Sequence, residues 1–211
     1  FQQQYGYLLE NDLSDPAQFE QAASYFDTQN LTDYFIAQIG NVSTAWPQNN
    51  IKYWRDNDPN GRWRFLLYDM DIALARHKWT LASENALLNK MTAFDDQNFF
   101  INIVNAFLAN PDFKTYFLNR HQDLFNTVLA RDQMVPAFQE FITAVSSEIA
   151  LQLDRWPTNT FENWQTKEQE KIIDFIENRA GFSMQHYDEY FQLGGIYQLT
   201  LKGDNNDLVS F

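Results

Sequence analysis

Asp33-Tyr-Phe-Ile-Ala-Gln-Ile-Gly-Asn-Val-Ser-Thr-Ala-Trp-Pro-Gln-Asn-Asn-Ile-Lys-Tyr-Trp-Arg-Asp-Asn-Asp-Pro-Asn-Gly-Arg-Trp-Arg-Phe-Leu-Leu-Tyr-Asp-Met-Asp71 is the stretch around which the chain is organised. Its first eight residues continue a helix that restarts at Asp27, with Leu31, Tyr34, Phe35, Ile36 and Ile39 at helical spacing. Residues 41–50 are rich in Asn, Ser and Pro, the composition of a loop. Ile51–Arg55 alternates as a strand does, Asp56-Asn57-Asp58-Pro59-Asn60-Gly61 supplies a turn, and Arg62–Asp69 returns as the partner strand. Two carboxylates, Asp69 and Asp71, follow at the end of that strand.

Outward from this hairpin the pattern is helical. Residues 1–14 show no clear period and read as an entry segment; together with the next dozen they form an N-terminal flank, 1–26. Asp15-Pro16 starts a helix, since Asp caps the free N–H groups and Pro is tolerated in the first turn. A short helix is expected around Glu84–Met91, a longer one from Asp95 to Leu108, and another after the Asn110-Pro111 cap. Further helices are expected over Asp132–Asp154, Phe161–Asn178 and Ser183–Phe191, with Gly194-Gly195 stopping the last. Residues 27–193 then form one lobe, 27–75 holding the loop and hairpin and 95–193 a helical bundle. Ile196–Leu201 reads as a strand of a following element or tail, 194–211. The fold class is mainly α with a small β-hairpin, α+β overall. The start on Phe1 and the end on Val-Ser-Phe suggest a piece of a longer chain.

Composition narrows the function. In 211 residues the net charge is −13, which disfavours nucleic acid, because a phosphate backbone needs a basic surface. No apolar run approaches the roughly 18 residues that span a bilayer. There is no cysteine, so disulfides and thiolate metal sites are excluded.

Four constellations carry possible chemistry. Asp56–Gly61 matches the first half of a calcium loop, but Leu67 stands where the bidentate acid belongs, so a hairpin turn accounts for it. Asp69-Met70-Asp71 presents two carboxylates at i and i+2, suited to a hard cation and equally to an Asx-turn or helix cap. Asn49 and Asn50 end the loop as possible amide ligands or simple loop formers, and Trp46-Pro47 forms a lid or a plug. The histidines, His77, His121 and His186, share no metal spacing and read as structural or surface residues. No Gly-rich phosphate loop and no nucleophile elbow occurs.

The elements DYFIAQI, WPxNNIKYWR and GRWRFLLYDMD, followed by FLANPDFKTYFLNRHQDLFN, resemble the CotH kinase family, the spore coat protein H-like atypical kinases, over most of residues 27–193. The resemblance implies the C-terminal lobe of a kinase-like fold and an extracellular or cell-envelope bacterial protein. It also implies magnesium, ATP and a protein substrate with Ser or Thr hydroxyls. In kinases a catalytic Asp precedes a magnesium-holding Asn by five residues, and a second Asp after a hairpin holds the metal on the phosphates. By resemblance the Asn is Asn50 and the second Asp is Asp69, with Asp71 in support, while Lys52, Arg55 and Trp46 are candidates for phosphate or nucleotide contact. The first Asp should stand at position 45, where this chain has Ala45; Ile72-Ala73-Leu74-Ala75 replaces the glycines expected after the acidic turn. Phosphoryl transfer is therefore expected to be impaired in this chain. The alternative is a non-catalytic pseudokinase or binding module of a surface or coat protein.

Overall fold

A computed structural model describes residues 1–94 and 98–197, with the backbone of 200–202 and 208–210. Helix α1 covers Gln2–Glu10, α2 Pro16–Tyr25 and α3 Thr28–Gly40. The hairpin strands β1, Lys52–Trp54, and β2, Arg64–Leu66, follow, and then α4 at Ala86–Ala93. Helices α5 (Phe99–Leu108), α6 (Pro111–Asn126) and α7 (Arg131–Arg155) complete the middle of the chain. A short α8, Phe161–Asn163, passes through a π-helical turn at Trp164–Glu168 into α9, Gln169–Phe191. Strands β3 (Thr200–Lys202) and β4 (Leu208–Ser210) make a second antiparallel pair. The protein is mainly α with small two-stranded sheets, as the sequence predicts.

Local chemistry sets the helix starts. Asp15 accepts from the Ala17 and Gln18 amides ahead of Pro16, Asp27 accepts from Asn30, and Asn110 from Phe113 ahead of Pro111. Each side chain satisfies amides that would otherwise have no partner in the first turn. Asn98 caps α5 in the same way; the start expected at Asp95 lies outside the described residues. The strand expected over 196–201 also falls partly outside them, and its described end belongs to β3.

Two expectations need correction. Residues 2–10 form a helix whose Leu8 is buried, although its apolar residues show little periodicity, because α5 and α2 supply the packing surface. The break expected between Asn178 and Ser183 does not exist. Helix α9 runs through Gly181, which has nothing within 4 Å of where a Cβ would lie, and buries Phe175, Ile176, Arg179, Ser183 and Tyr187 along one face. A lone glycine costs a helix roughly 1 kcal/mol, less than such burial returns. The helix ends at Gln192, in the left-handed region at φ 55°, before Gly194.

The core is unusually aromatic. Phe26, Tyr34, Phe35, Trp46, Phe65, Phe100, Phe107, Phe117 and Tyr187 are buried in it. The hairpin contributes one anchor, Phe65, whose ring lies 4.7 Å from Phe100 while Arg64 and Leu66 face outward. Asn30 of α3 fixes the register from outside the sheet: it accepts from the Phe65 amide at 2.6 Å and donates to the Phe65 carbonyl at 3.2 Å. One end of the hairpin is held by Trp63, which exchanges backbone bonds with Tyr25 and Asp27.

Candidate functional site

The loop after α3 is held by backbone and side-chain bonds to the segment after β2. Both the amide and the hydroxyl of Thr44 donate to the Ile72 carbonyl, at 3.4 and 3.2 Å. The Asn49 amide donates to the Ala45 carbonyl at 2.9 Å, closing a turn over 45–49. Asn98 donates to the Pro47 carbonyl at 2.7 Å, tying that turn to the start of α5. Below it, Trp46 is fully buried, its ring edge-on to Tyr34, Phe35 and Phe100. Trp46 is thus the plug of the two readings, and its indole offers no accessible face on which a nucleotide could stack.

Asn50 and Asp69 meet across the mouth of the hairpin. Asn50 Nδ2 donates to the Asp69 carbonyl at 3.1 Å. Both residues adopt left-handed backbone, φ 59° and 53°, a conformation that is uncommon outside glycine and that Asn and Asp tolerate best. With its amide nitrogen committed, Asn50 keeps its side-chain oxygen for another partner. Among the described residues, the carboxylates of Asp69 and Asp71 make no hydrogen bond or ion pair, and both are exposed. Free carboxylate and amide oxygens are the donors a magnesium ion takes. The donor set fits that cation, although among the described residues no group of three His, Cys, Asp or Glu residues is arranged as a metal site.

The hairpin cations lie over aromatic rings of the ribbon. Lys52 Nζ lies 3.4 Å over the Tyr68 ring, and Arg55 sits over Trp63 at 5.5 Å, both on exposed residues of the ribbon. Asp56–Gly61 forms the expected turn: Asp56 accepts from the Asp58 amide and Asp58 from the Asn60 amide. Gly61 is required there, because a Cβ would stand 2.5 Å from the Asp56 carbonyl oxygen. After the acidic turn, Leu74 and Ala75 take positive φ, 50° and 60°, where the resemblance led us to expect glycines. The two residues hold left-handed backbone without being glycine, at a cost of order 1 kcal/mol each. A cleft of about 370 Å³ opens beside this turn, lined by Asp71, Leu74, Arg76, Trp164, Glu168 and Lys171.

One residue was not singled out from the sequence. Lys90, from α4, donates to the Thr44 carbonyl at 3.0 Å, immediately before Ala45. Its ammonium is half-buried, and burial pushes its pKa down to about 8. Nothing in Leu88-Asn89-Lys90-Met91 announces this role; only the packing of α4 against the loop creates it.

The CotH kinase protein family model matches residues 3–183. The chain belongs to the CotH kinase family. No curated protein and no solved structure matches it significantly. Among the described residues no helix is long and apolar enough to cross a membrane.

Proposed function

We propose that this CotH kinase family member carries the catalytic-lobe half of an atypical kinase site, in which Asn50 and Asp69 hold magnesium on the phosphates of ATP and Asp71 supports them. The observation that carries the reading is the Asn50–Asp69 hydrogen bond between two left-handed residues. It holds the loop asparagine and the post-hairpin aspartate at one point, as phosphoryl transfer requires of its metal ligands. Magnesium bound there would neutralise charge on the transferred group; the chain supplies the oxygens and holds their backbone in place. Lys52 and Arg55 are reserve phosphate contacts at the edge of the same ribbon. The acceptor would be a Ser or Thr hydroxyl of an extracellular or envelope protein.

Ala45 supports a second reading, a pseudokinase that binds nucleotide or protein without transfer, because no carboxylate stands where the family motif has its base. Titration calorimetry with ATP separates the readings. Magnesium-dependent binding that disappears in Asp69→Ala supports the metal site. Binding of equal strength in the Asp69→Ala variant refutes it. Transfer to protein by the unaltered chain excludes the pseudokinase.

A further inference from the structure

The site lacks a proton acceptor at position 45, yet an amine stands beside it. Lys90 Nζ is 3.0 Å from the Thr44 carbonyl oxygen, one residue before Ala45, on a loop segment whose other bonds run to Ile72, just beyond Asp69 and Asp71. The amine also lies 5.6 Å from the centre of the Phe94 ring. Among the described residues it has no carboxylate partner. Burial alone accounts for the shift of its pKa, with no charged group contributing. An ammonium half-buried with no carboxylate partner among the described residues is costly as a cation, which is how lysines become bases near neutral pH.

Resting on the kinase-like reading above, we propose that Lys90 is the catalytic base of this chain, accepting the proton of the attacking hydroxyl in place of the carboxylate absent at position 45. In the transfer, the acceptor oxygen bonds to the γ-phosphorus of ATP. The bond from that phosphorus to the β–γ bridging oxygen breaks, and its electron pair leaves with ADP. The hydroxyl proton passes to neutral Nζ, which becomes an ammonium. Thr44 O keeps one N–H of the amine throughout and so confines its lone pair to the two remaining tetrahedral directions. At pH 7 about a tenth of a group with pKa near 8 is neutral, enough for a working base.

Lys90→Arg is the decisive variant. It keeps a positive charge and a donor for Thr44 O but cannot give up its proton. Three chains, the unaltered protein, Lys90→Arg and Lys90→Arg/Ala45→Asp, are assayed for γ-phosphate transfer from magnesium ATP to dephosphorylated casein as a generic Ser/Thr acceptor. We expect Lys90→Arg to lose roughly 10²-fold or more, and Ala45→Asp to restore transfer in that background. The Lys90 titration, followed by NMR after ¹³C-methylation of the lysines, is expected to have its midpoint near 8 and to move up when Ala45→Asp supplies a partner. Transfer by Lys90→Arg within about threefold of the unaltered chain overturns the proposal and leaves the kinase reading standing, with Lys90 then an anchor or phosphate clamp. Transfer only in chains carrying Ala45→Asp also overturns it alone. No transfer from any of them overturns both, and an ordinary lysine midpoint overturns the proposal without any activity measurement.

Discussion

Acidification between pH 6.5 and 3 should destabilise this protein through His121, and Gln at that position should remove that part of the loss. The ring is 1% exposed, stacked on Tyr187 with centroids 3.5 Å apart, and its Nε2 lies 2.9 Å from Ser183 Oγ. Burial, and secondarily the Arg179 charge, pushes its pKa from 6.5 down to about 3. A folded pKa below the unfolded one means that the unfolded chain takes up a proton which the folded chain refuses. The stability contributed by the neutral ring is complete above pH 6.5 and is lost as pH falls toward 3. Each unit is worth about 1.4 kcal/mol, so at pH 4.5 the loss is about 3 kcal/mol. For a domain of this size that is a melting shift of roughly 6–12 °C. Urea unfolding of the unaltered protein and of His121→Gln at pH 7 and 4.5 gives four stabilities. The variant will be weaker at pH 7, having lost the ring stack, but its change with pH should be smaller by about 3 kcal/mol. His186, also lowered by burial, and the carboxylates are common to both proteins and cancel. Equal pH dependence in the two, within about 1 kcal/mol, refutes the reasoning.

Two further outcomes follow from single contacts. Arg179 donates to the Ile39, Gly40, Ala82 and Glu84 carbonyls, and among the described residues Gly40 and Ala82 have no other donor. Arg179→Met should cost about 3–5 kcal/mol in urea unfolding, and Arg179→Lys about half of that, because it keeps the charge and fewer of the bonds. Gly61→Ala drives a methyl into the Asp56 carbonyl and should cost about 1–3 kcal/mol, visible as faster amide exchange in β1 and β2 while α9 is unaffected.

Helix starts were legible because they depend on neighbours in the chain. A carboxylate or amide that caps the first free amides acts whatever the remainder of the molecule does; Asp15, Asp27 and Asn110 all behave this way, Asp15 and Asn110 with a Pro beside them. The hairpin was legible for the same reason, its turn being written in Asp56–Gly61. Helix α1 and the continuity of α9 were not, since both depend on surfaces brought from elsewhere: α2 and α5 for the one, α4 and α7 for the other. Periodicity measures amphipathicity, and a helix stabilised mostly by its neighbours needs little of it.

By itself the sequence determined a mainly helical family member with one hairpin, the two acidic residues at its end, and Ala45 in place of the expected aspartate. These follow from residue type and short-range spacing. Tertiary structure decided that Asn50 and Asp69 touch across 19 residues, that Trp46 fills the core instead of facing a ligand, and that Lys90 reaches the loop 46 residues before it. Those facts depend on long-range packing: which side chains a folded chain leaves unpaired is fixed only when distant segments have displaced water from around them.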